Sequence, residues 1–379
     1  MSTTAPGPAI ENGATAAGRS PVHPQGRFLR NIWYMGLWST DLGPAALVDR
    51  IIVGEPILFM RDDDGRAAAI RDICSHRFAP LHLGKRCAGG RVRCLYHGMT
   101  FDTSGACVDN PFGDRRVAHN AALRSYPVVE KHGIVWIWMG TKTPDPSLIP
   151  DYSVIDRAAP GTLTKFDYLH FTVNYELIVD NLLDLSHTAF LHEGILGNPE
   201  QTRAKLEVLE DTRSVTVKRT IVDIPVYKLF DLLFRQDGRN IDSWDAQKWM
   251  APGCILGELL VKAPGDPEER GTGLNVIHIL TPETATTTHY SFSAVRLGVE
   301  NGTPATPEVA AKIAEMRRDV FIHQDAMMIN AQQTTMLRFP QFTQQPALAS
   351  IDAGPSRFKH VLRRLLDADP ESGPIVTTI

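Results

Sequence analysis

The sequence predicts an α+β protein in two parts: an all-β module over residues 27–145, then a domain of strands and helices over 146–379. Three observations predict it. Short β-rich runs broken by Gly, Asp and Pro crowd the first part. A proline-rich stretch without hydrophobic periodicity, TKTPDPSLIPDYS at 141–153, reads as a linker. Beyond it, strand-like and helix-like runs are mixed.

Residues 1–26 are small and rich in Pro and Gly; they read as a disordered lead-in, with no apolar segment that would make a secretory signal. The next β-rich runs are RIIVGEPILFMR, RAAAIRD, GMTFDTSGACVDN and HGIVWIWMG. In the second part SVTVKRTIVDI, GLNVIHILTP and THYSFSAVRL read as strands, and two segments read as helices. The first covers 174–190, NYELIVDNLLDLSHTAF. The second begins with Thr306 as N-cap, Pro307 at the first helical position and Glu308 in the first turn, and runs to about residue 333.

The chain has 379 residues and is 43% hydrophobic, ordinary for a globular protein. A net charge of −4 gives no electrostatic case for a nucleic-acid partner. No apolar run reaches the roughly 18 residues that a membrane span needs. Five cysteines in a chain this long do not form a disulfide framework, which points to a reducing cytoplasm.

The segment CSHRFAPLHLGKRCAGGRVRCLYHG, 74–98, pairs Cys74 with His76 and Cys94 with His97. Structural zinc would use two cysteines and two histidines, but zinc fingers usually pair Cys with Cys and His with His. One Cys and one His from each half suit a cluster of two chemically different irons, one held by thiolates and one by imidazoles. Gly84, Gly89, Gly90 and Gly98 let the ligand loops turn tightly. Cys87, Cys107 and Cys254 fall outside the pattern and read as small buried hydrophobes. His82 reads as a structural or surface histidine. Between 73 and 101 there is no Asp or Glu, whereas Arg77, Lys85, Arg86, Arg91 and Arg93 are all present. They either offset the cluster's charge or form a docking face for an acidic electron donor.

A second constellation lies in DLSHTAFLH, 184–192. Asp184 and His187 fall three apart, on one helix face, and Gly194 ends the helix so that His192 can turn inward. Two histidines and one carboxylate form the open site of non-haem Fe(II) enzymes that activate oxygen. Asp325 is the choice for the carboxylate, because it lies on the helical stripe marked by Phe321, Met328 and Ile329. A lone carboxylate on an apolar face needs a cation or another partner.

In both motifs the chain resembles the Rieske non-haem iron oxygenases. C-S-H and C-L-Y-H-G resemble the Rieske ligand pattern, and D-L-S-H-T-A-F-L-H the family's mononuclear-iron motif. The resemblance implies a Rieske [2Fe-2S] domain followed by a catalytic domain with an antiparallel sheet flanked by helices, of helix-grip, START-like form. It implies that Cys74, His76, Cys94 and His97 hold the cluster and that His187, His192 and Asp325 hold the mononuclear Fe(II). It gives Asp184 the task of bridging to His97 of a neighbouring subunit, and places Asn181 near the iron. A homotrimer, O2 as co-substrate, and a separate ferredoxin and NAD(P)H-dependent reductase are further implications. No GxGxxG follows a strand here, so NAD(P)H acts only through the reductase.

Within the family the chain looks most like the vanillate O-demethylase and dicamba monooxygenase branch, which implies oxidative O- or N-dealkylation of a small aromatic compound. Aromatic-ring dihydroxylation is the alternative within the class, and a ferredoxin-like electron carrier the alternative outside it. For the substrate pocket the candidates are Trp249, His289 and Phe230, the last in a segment, 225–244, that reads equally as a lid or a core helix. No cluster of Arg or Lys over 225–295 demands an acidic substrate, which favours a neutral aromatic, although a single arginine can hold a carboxylate.

Overall fold

The computed structural model describes residues 26–374; of the lead-in expected to be disordered, residues 1–25 lie outside the described residues. The first part is all-β, as expected. Strands β1 (Ile32–Trp38), β10 (Val128–Lys131) and β11 (Ile134–Met139) form one antiparallel sheet in the order β10-β11-β1. A second sheet runs β9-β4-β3-β2, from Ser125–Tyr126, Ala67–Arg71, Glu55–Arg61 and Val48–Ile52. A third, small sheet of β5 (Lys85–Cys87), β6 (Arg91–Arg93), β7 (Thr100–Phe101) and β8 (Cys107–Asp109), in sequence order, shares a core with the second through Val92, Phe101, Leu58 and Ile70.

Among the described residues the second part is built on a seven-stranded antiparallel sheet. Its order is β12-β18-β17-β16-β15-β14-β13, from Asp167–Phe171, Thr288–Leu297, Thr272–Pro282, Cys254–Lys262, Ile241–Met250, Ser214–Ile224 and Lys205–Glu210. Strands β17 and β18 are buried almost throughout, because both faces are covered. One face receives β1 and β11: Trp33, Trp38, Trp136 and Trp138 share a core with Ile277, Ile279 and Val295. The other receives helices α1 (Tyr175–Leu183), α4 (Ala326–Arg338) and α5 (Ala353–Ala368), which pack with Val217, Trp249, Ile255 and Leu280. The short helix α2 (Lys228–Leu233) and α3 (Pro307–Val320) complete the domain.

The two parts are joined by more than the linker. The turn after β2 donates from the N–H groups of Val53 and Gly54 to the carbonyls of Pro282 and Glu283. Thr281 donates to Met35 O, and the Trp38 indole to Asp167 O. These bonds, with the shared tryptophan core, fix the β module on the large sheet.

Local signals set the helix starts. Asn174 caps α1 by accepting from Glu176 N–H, and Thr306 caps α3 by accepting from Val309 N–H, with Pro307 at its first position. Two helix expectations need correction. The 174–190 helix breaks at Asp184, which closes α1 and caps a separate 3₁₀ segment, Leu185–Ala189. The second helix runs on to Arg338 and contains a π turn over Phe321–Asp325. That wide turn takes an extra residue and rotates the helix beyond it, so Met328 is exposed while Phe321, Asp325 and Ile329 stay buried. Among the described residues no helix is long and apolar enough to cross a membrane.

Gly36 in β1 lies against the Phe59 ring of β3; a Cβ there would come within 2.4 Å of it. Gly36→Ala is expected to cost about 1–3 kcal/mol by overpacking. Chemical denaturation measures this, and an unchanged midpoint would refute the close packing of the two sheets.

Candidate metal centres and substrate cavity

The first candidate site sits on two matching turns, one before β5 and one between β6 and β7. In each, the fifth residue donates its N–H to the cysteine carbonyl: Phe78 to Cys74 and Gly98 to Cys94. Each cysteine N–H then donates one residue further on, to Ala79 O and Met99 O. The fifth residue is left-handed in both turns, with φ of 60° at Phe78 and 77° at Gly98; glycine adopts this freely and Phe78 under strain. The repeated geometry buries the sulfurs of Cys74 and Cys94 and leaves His76 exposed and His97 half-exposed, their rings 4.6 Å apart. Burial pushes the Cys74 thiol above its ordinary range. Two thiols inside and two imidazoles outside fit a cluster of two unlike irons.

Around this site several expectations are settled. His82 is structural: its ring pairs with Asp72, whose carboxylate also accepts the N–H groups of Leu81 and His82. Of the three remaining cysteines only Cys254 is buried; Cys87 and Cys107 are half-exposed. Arg86 is not free for docking. Its guanidinium donates to the carbonyls of Arg61, Cys87 and Arg91 and ties the small sheet to β3. Arg77, Lys85, Arg91 and Arg93 are exposed.

The second candidate site brings together His187, His192 and Asp325, with one donor atom from each within 4.8 Å of the others. Asp325 Oδ1 lies 3.5 Å from His187 Nε2 and 3.2 Å from His192 Nε2. The far ring nitrogens are engaged: His187 Nδ1 meets Asp184 O at 2.6 Å, and His192 Nδ1 meets Gln324 Oε1 at 2.6 Å. An acceptor at Nδ1 keeps the proton there and leaves the Nε2 lone pair free for a metal. Burial lowers the His187 pKa despite the pull of Asp325. At His192 burial also acts downward, but the hydrogen bond and charge of Asp325 outweigh it and the net shift is up. Asn181 donates to Asp325 Oδ1 at 3.0 Å and so fixes the carboxylate. The break at Asp184 lets His187 turn toward His192, because the 3₁₀ segment carries it off the α1 face. Two imidazoles and one carboxylate, with the rest of the coordination sphere open to a cavity, fit a mononuclear iron.

That cavity lies between the helices and the sheet and is mostly apolar; Phe230 lines it together with Leu229 from α2 and Tyr227, the residue that precedes this helix. The structure places the other two pocket candidates elsewhere. Trp249 is fully buried against Phe358 of α5, with ring centroids 4.8 Å apart. His289 faces the β module, between the Tyr168 hydroxyl and Ile51 O. Sequence reasoning missed Gln324, Asp245, Gln247, His278 and Arg317, which either position the triad or line the cavity. Gln324 and Arg317 had one available signal, their position on the helix that carries Asp325.

Family comparisons match both parts. The Rieske [2Fe-2S] domain model matches residues 32–127, and the vanillate O-demethylase oxygenase C-terminal domain model matches 171–368. The chain belongs to the Rieske non-haem iron oxygenases. It is 35% identical to the toluene-4-sulfonate monooxygenase system iron–sulfur subunit of Comamonas testosteroni, covering 90% of this chain and 98% of the relative. It is 32% identical to the oxygenase component of chloroacetanilide N-alkylformylase from Rhizorhabdus wittichii, covering 90% and 95%. Among solved structures, dicamba monooxygenase bound to 3,6-dichlorosalicylic acid superimposes with a TM-score of 0.83 at 30% identity, covering 90% of this chain and 99% of that one. The same enzyme has been solved with non-haem iron and dicamba, at a TM-score of 0.73 and 29% identity, covering 90% and 98%. As a Rieske oxygenase the chain is an enzyme, which excludes the electron-carrier reading, and the [2Fe-2S] domain match sets structural zinc aside.

Gln324→Leu is expected to weaken Fe(II) binding by about 10–100-fold, since His192 loses the acceptor that orients it, and to leave the visible spectrum of the cluster intact. Titration of iron into metal-stripped protein tests this; equal affinity would show that the hydrogen bond orients nothing. A second expectation concerns pH. Burial pushes the Asp245 carboxyl up to about 6 from 3.8, against the opposing pull of Arg219. A proton held more tightly in the fold than in the unfolded chain adds stability at low pH, and this is lost as pH rises from about 4 to about 6. Asp245→Asn should therefore raise the melting temperature more at about pH 7.5 than at about pH 4.5. A gain independent of pH would contradict the shift.

Proposed function

We propose that this chain removes an O- or N-alkyl group from a small aromatic compound by oxidising the attached carbon. Cys74, His76, Cys94 and His97 hold the cluster, and His187, His192 and Asp325 hold the iron. The observation that carries this reading is the triad: two Nε2 atoms and one carboxylate oxygen converge on the wall of a mostly apolar cavity. Support for dealkylation comes from the relatives, whose names include an N-alkylformylase and dicamba monooxygenase.

When bound, the cluster supplies single electrons and the iron supplies reductive activation of O2. The chain's own residues do the rest. Gln324 and the Asp184 carbonyl hold the imidazoles in one tautomer, and Asn181 orients the Asp325 carboxylate. Leu229, Phe230 and Tyr227 exclude water around the alkyl group. For a methyl ether, O2, two electrons and two protons yield water and a hemiacetal at the oxidised carbon. The hemiacetal then breaks its C–O bond to give formaldehyde and a phenol.

Electrons reach the cluster from a ferredoxin and an NAD(P)H-dependent reductase, both separate proteins, in the cytoplasm. Exposed Arg77, Lys85, Arg91 and Arg93 form the face that meets an acidic donor. We further propose a homotrimer in which Asp184 accepts from His97 of a neighbouring copy. Asp184 is half-buried and uses one carboxylate oxygen on Ser186 N–H. Near His97 in the chain, Phe78, Leu83, Leu95, Tyr96 and Phe112 expose apolar side chains of the kind subunit contacts cover.

Incubation with ferredoxin, reductase and methoxy- or N-alkyl aromatics should release one aldehyde per substrate consumed. His187→Ala should abolish release and retain the cluster absorbance. Continued turnover by that variant, or a ring diol in place of aldehyde, would defeat the proposal.

A further inference from the structure

The cavity has two buried polar walls of opposite character. On one, Asp245 and Gln247 of β15 leave Oδ1 and Oε1 without a hydrogen-bond partner. On the other is Arg317 of α3, only 4% exposed, whose Nη2 has no hydrogen-bond partner. Among the described residues no carboxylate lies within ion-pair distance of Arg317. Asp167, the one acid whose charge reaches it, is already paired with Arg318 and Lys165. The Phe292 and Phe321 rings lie 5.6 and 5.8 Å from its Cζ, at the limit of useful cation–π contact. A buried guanidinium left this bare is costly unless an anion completes it.

We propose that Arg317 is the anion anchor of the substrate cavity, so that the substrate is an aromatic acid, carboxylate or sulfonate, with its acid group far from the alkyl group. The position of the alkyl group rests on the dealkylation reading; the anchor does not. Placement comes from the helix. Arg317, Phe321 and Asp325 form one buried stripe, and eight residues span about 12 Å of axis, a length that one doubly substituted benzene ring bridges. The planar fork of a guanidinium binds two oxygens of such an anion at once. Asp245 does not oppose it. Phe292, against which Arg317 lies, is on β18, and β15 is three strands away, about 14 Å across the sheet. His278, the other titratable group on this wall, stays neutral: burial, with Arg317 beside it, holds its pKa well below the ordinary range. The preference for a neutral substrate over 225–295 thus gives way to one arginine outside that window.

The test is calorimetric binding to the iron-loaded protein of 4-methoxybenzoate, 4-methoxybenzenesulfonate and neutral 4-methoxybenzamide. At least one acid should bind about tenfold or more tighter than the amide, a difference that Arg317→Met should erase without weakening the amide. Arg317→Lys, which keeps the charge and loses the fork, should retain part of the preference, and it decides the matter if the Met variant does not fold. Amide binding equal to both acids in the native protein, or an acid-to-amide ratio unmoved by the substitutions, overturns the anchor. Aldehyde is scored separately. An acid held through Arg317 that releases none defeats dealkylation and leaves the anchor standing, whereas demethylation of the amide with both acids excluded does the reverse.

Discussion

The catalytic domain is organised around one buried carboxylate. The Asp325 side chain is 4% exposed, with an amide donor and two imidazoles turned toward it. Such a group is tolerated only where its surroundings supply positive charge or donors. Several otherwise unrelated features serve this. The π turn brings Asp325 inward, the chain break at Asp184 redirects His187, and Gln324 fixes His192. These devices come from two segments more than a hundred residues apart in sequence, which meet only because α1 and α4 pack on the same face of the large sheet.

Much of this was legible in the sequence. Cys74, His76, Cys94 and His97 were singled out because each half pairs one Cys with one His, and the structure sets both pairs on the same turn geometry. Asp325 was legible for a reason only partly right. The stripe it was assigned to included Met328, which is exposed, since the π turn rotates the helix beyond it. A π turn leaves no pattern in residue type, so its register shift could not be foreseen.

The pocket was harder for a related reason. Trp249 shares a strand face with Asp245 and Gln247, yet α5 seals its end of that face with Phe358. His289 alternates with Tyr290 and Phe292 and so points to the β module. Period-two alternation gives the face, but not what covers each part of it. Gln324 and Arg317 share a helix with Asp325 but otherwise look like ordinary polar residues; the hydrogen bond to His192 reveals the first and burial the second.

The seam between the two parts has a further meaning. Backbone bonds from Val53 and Gly54 to Pro282 and Glu283, and the tryptophans packed beneath β17, hold the cluster-bearing part against the large sheet. A carrier domain on a tether could shuttle charge by moving; this one is a fixed terminal. What exchanges electrons with this end therefore has to come to it.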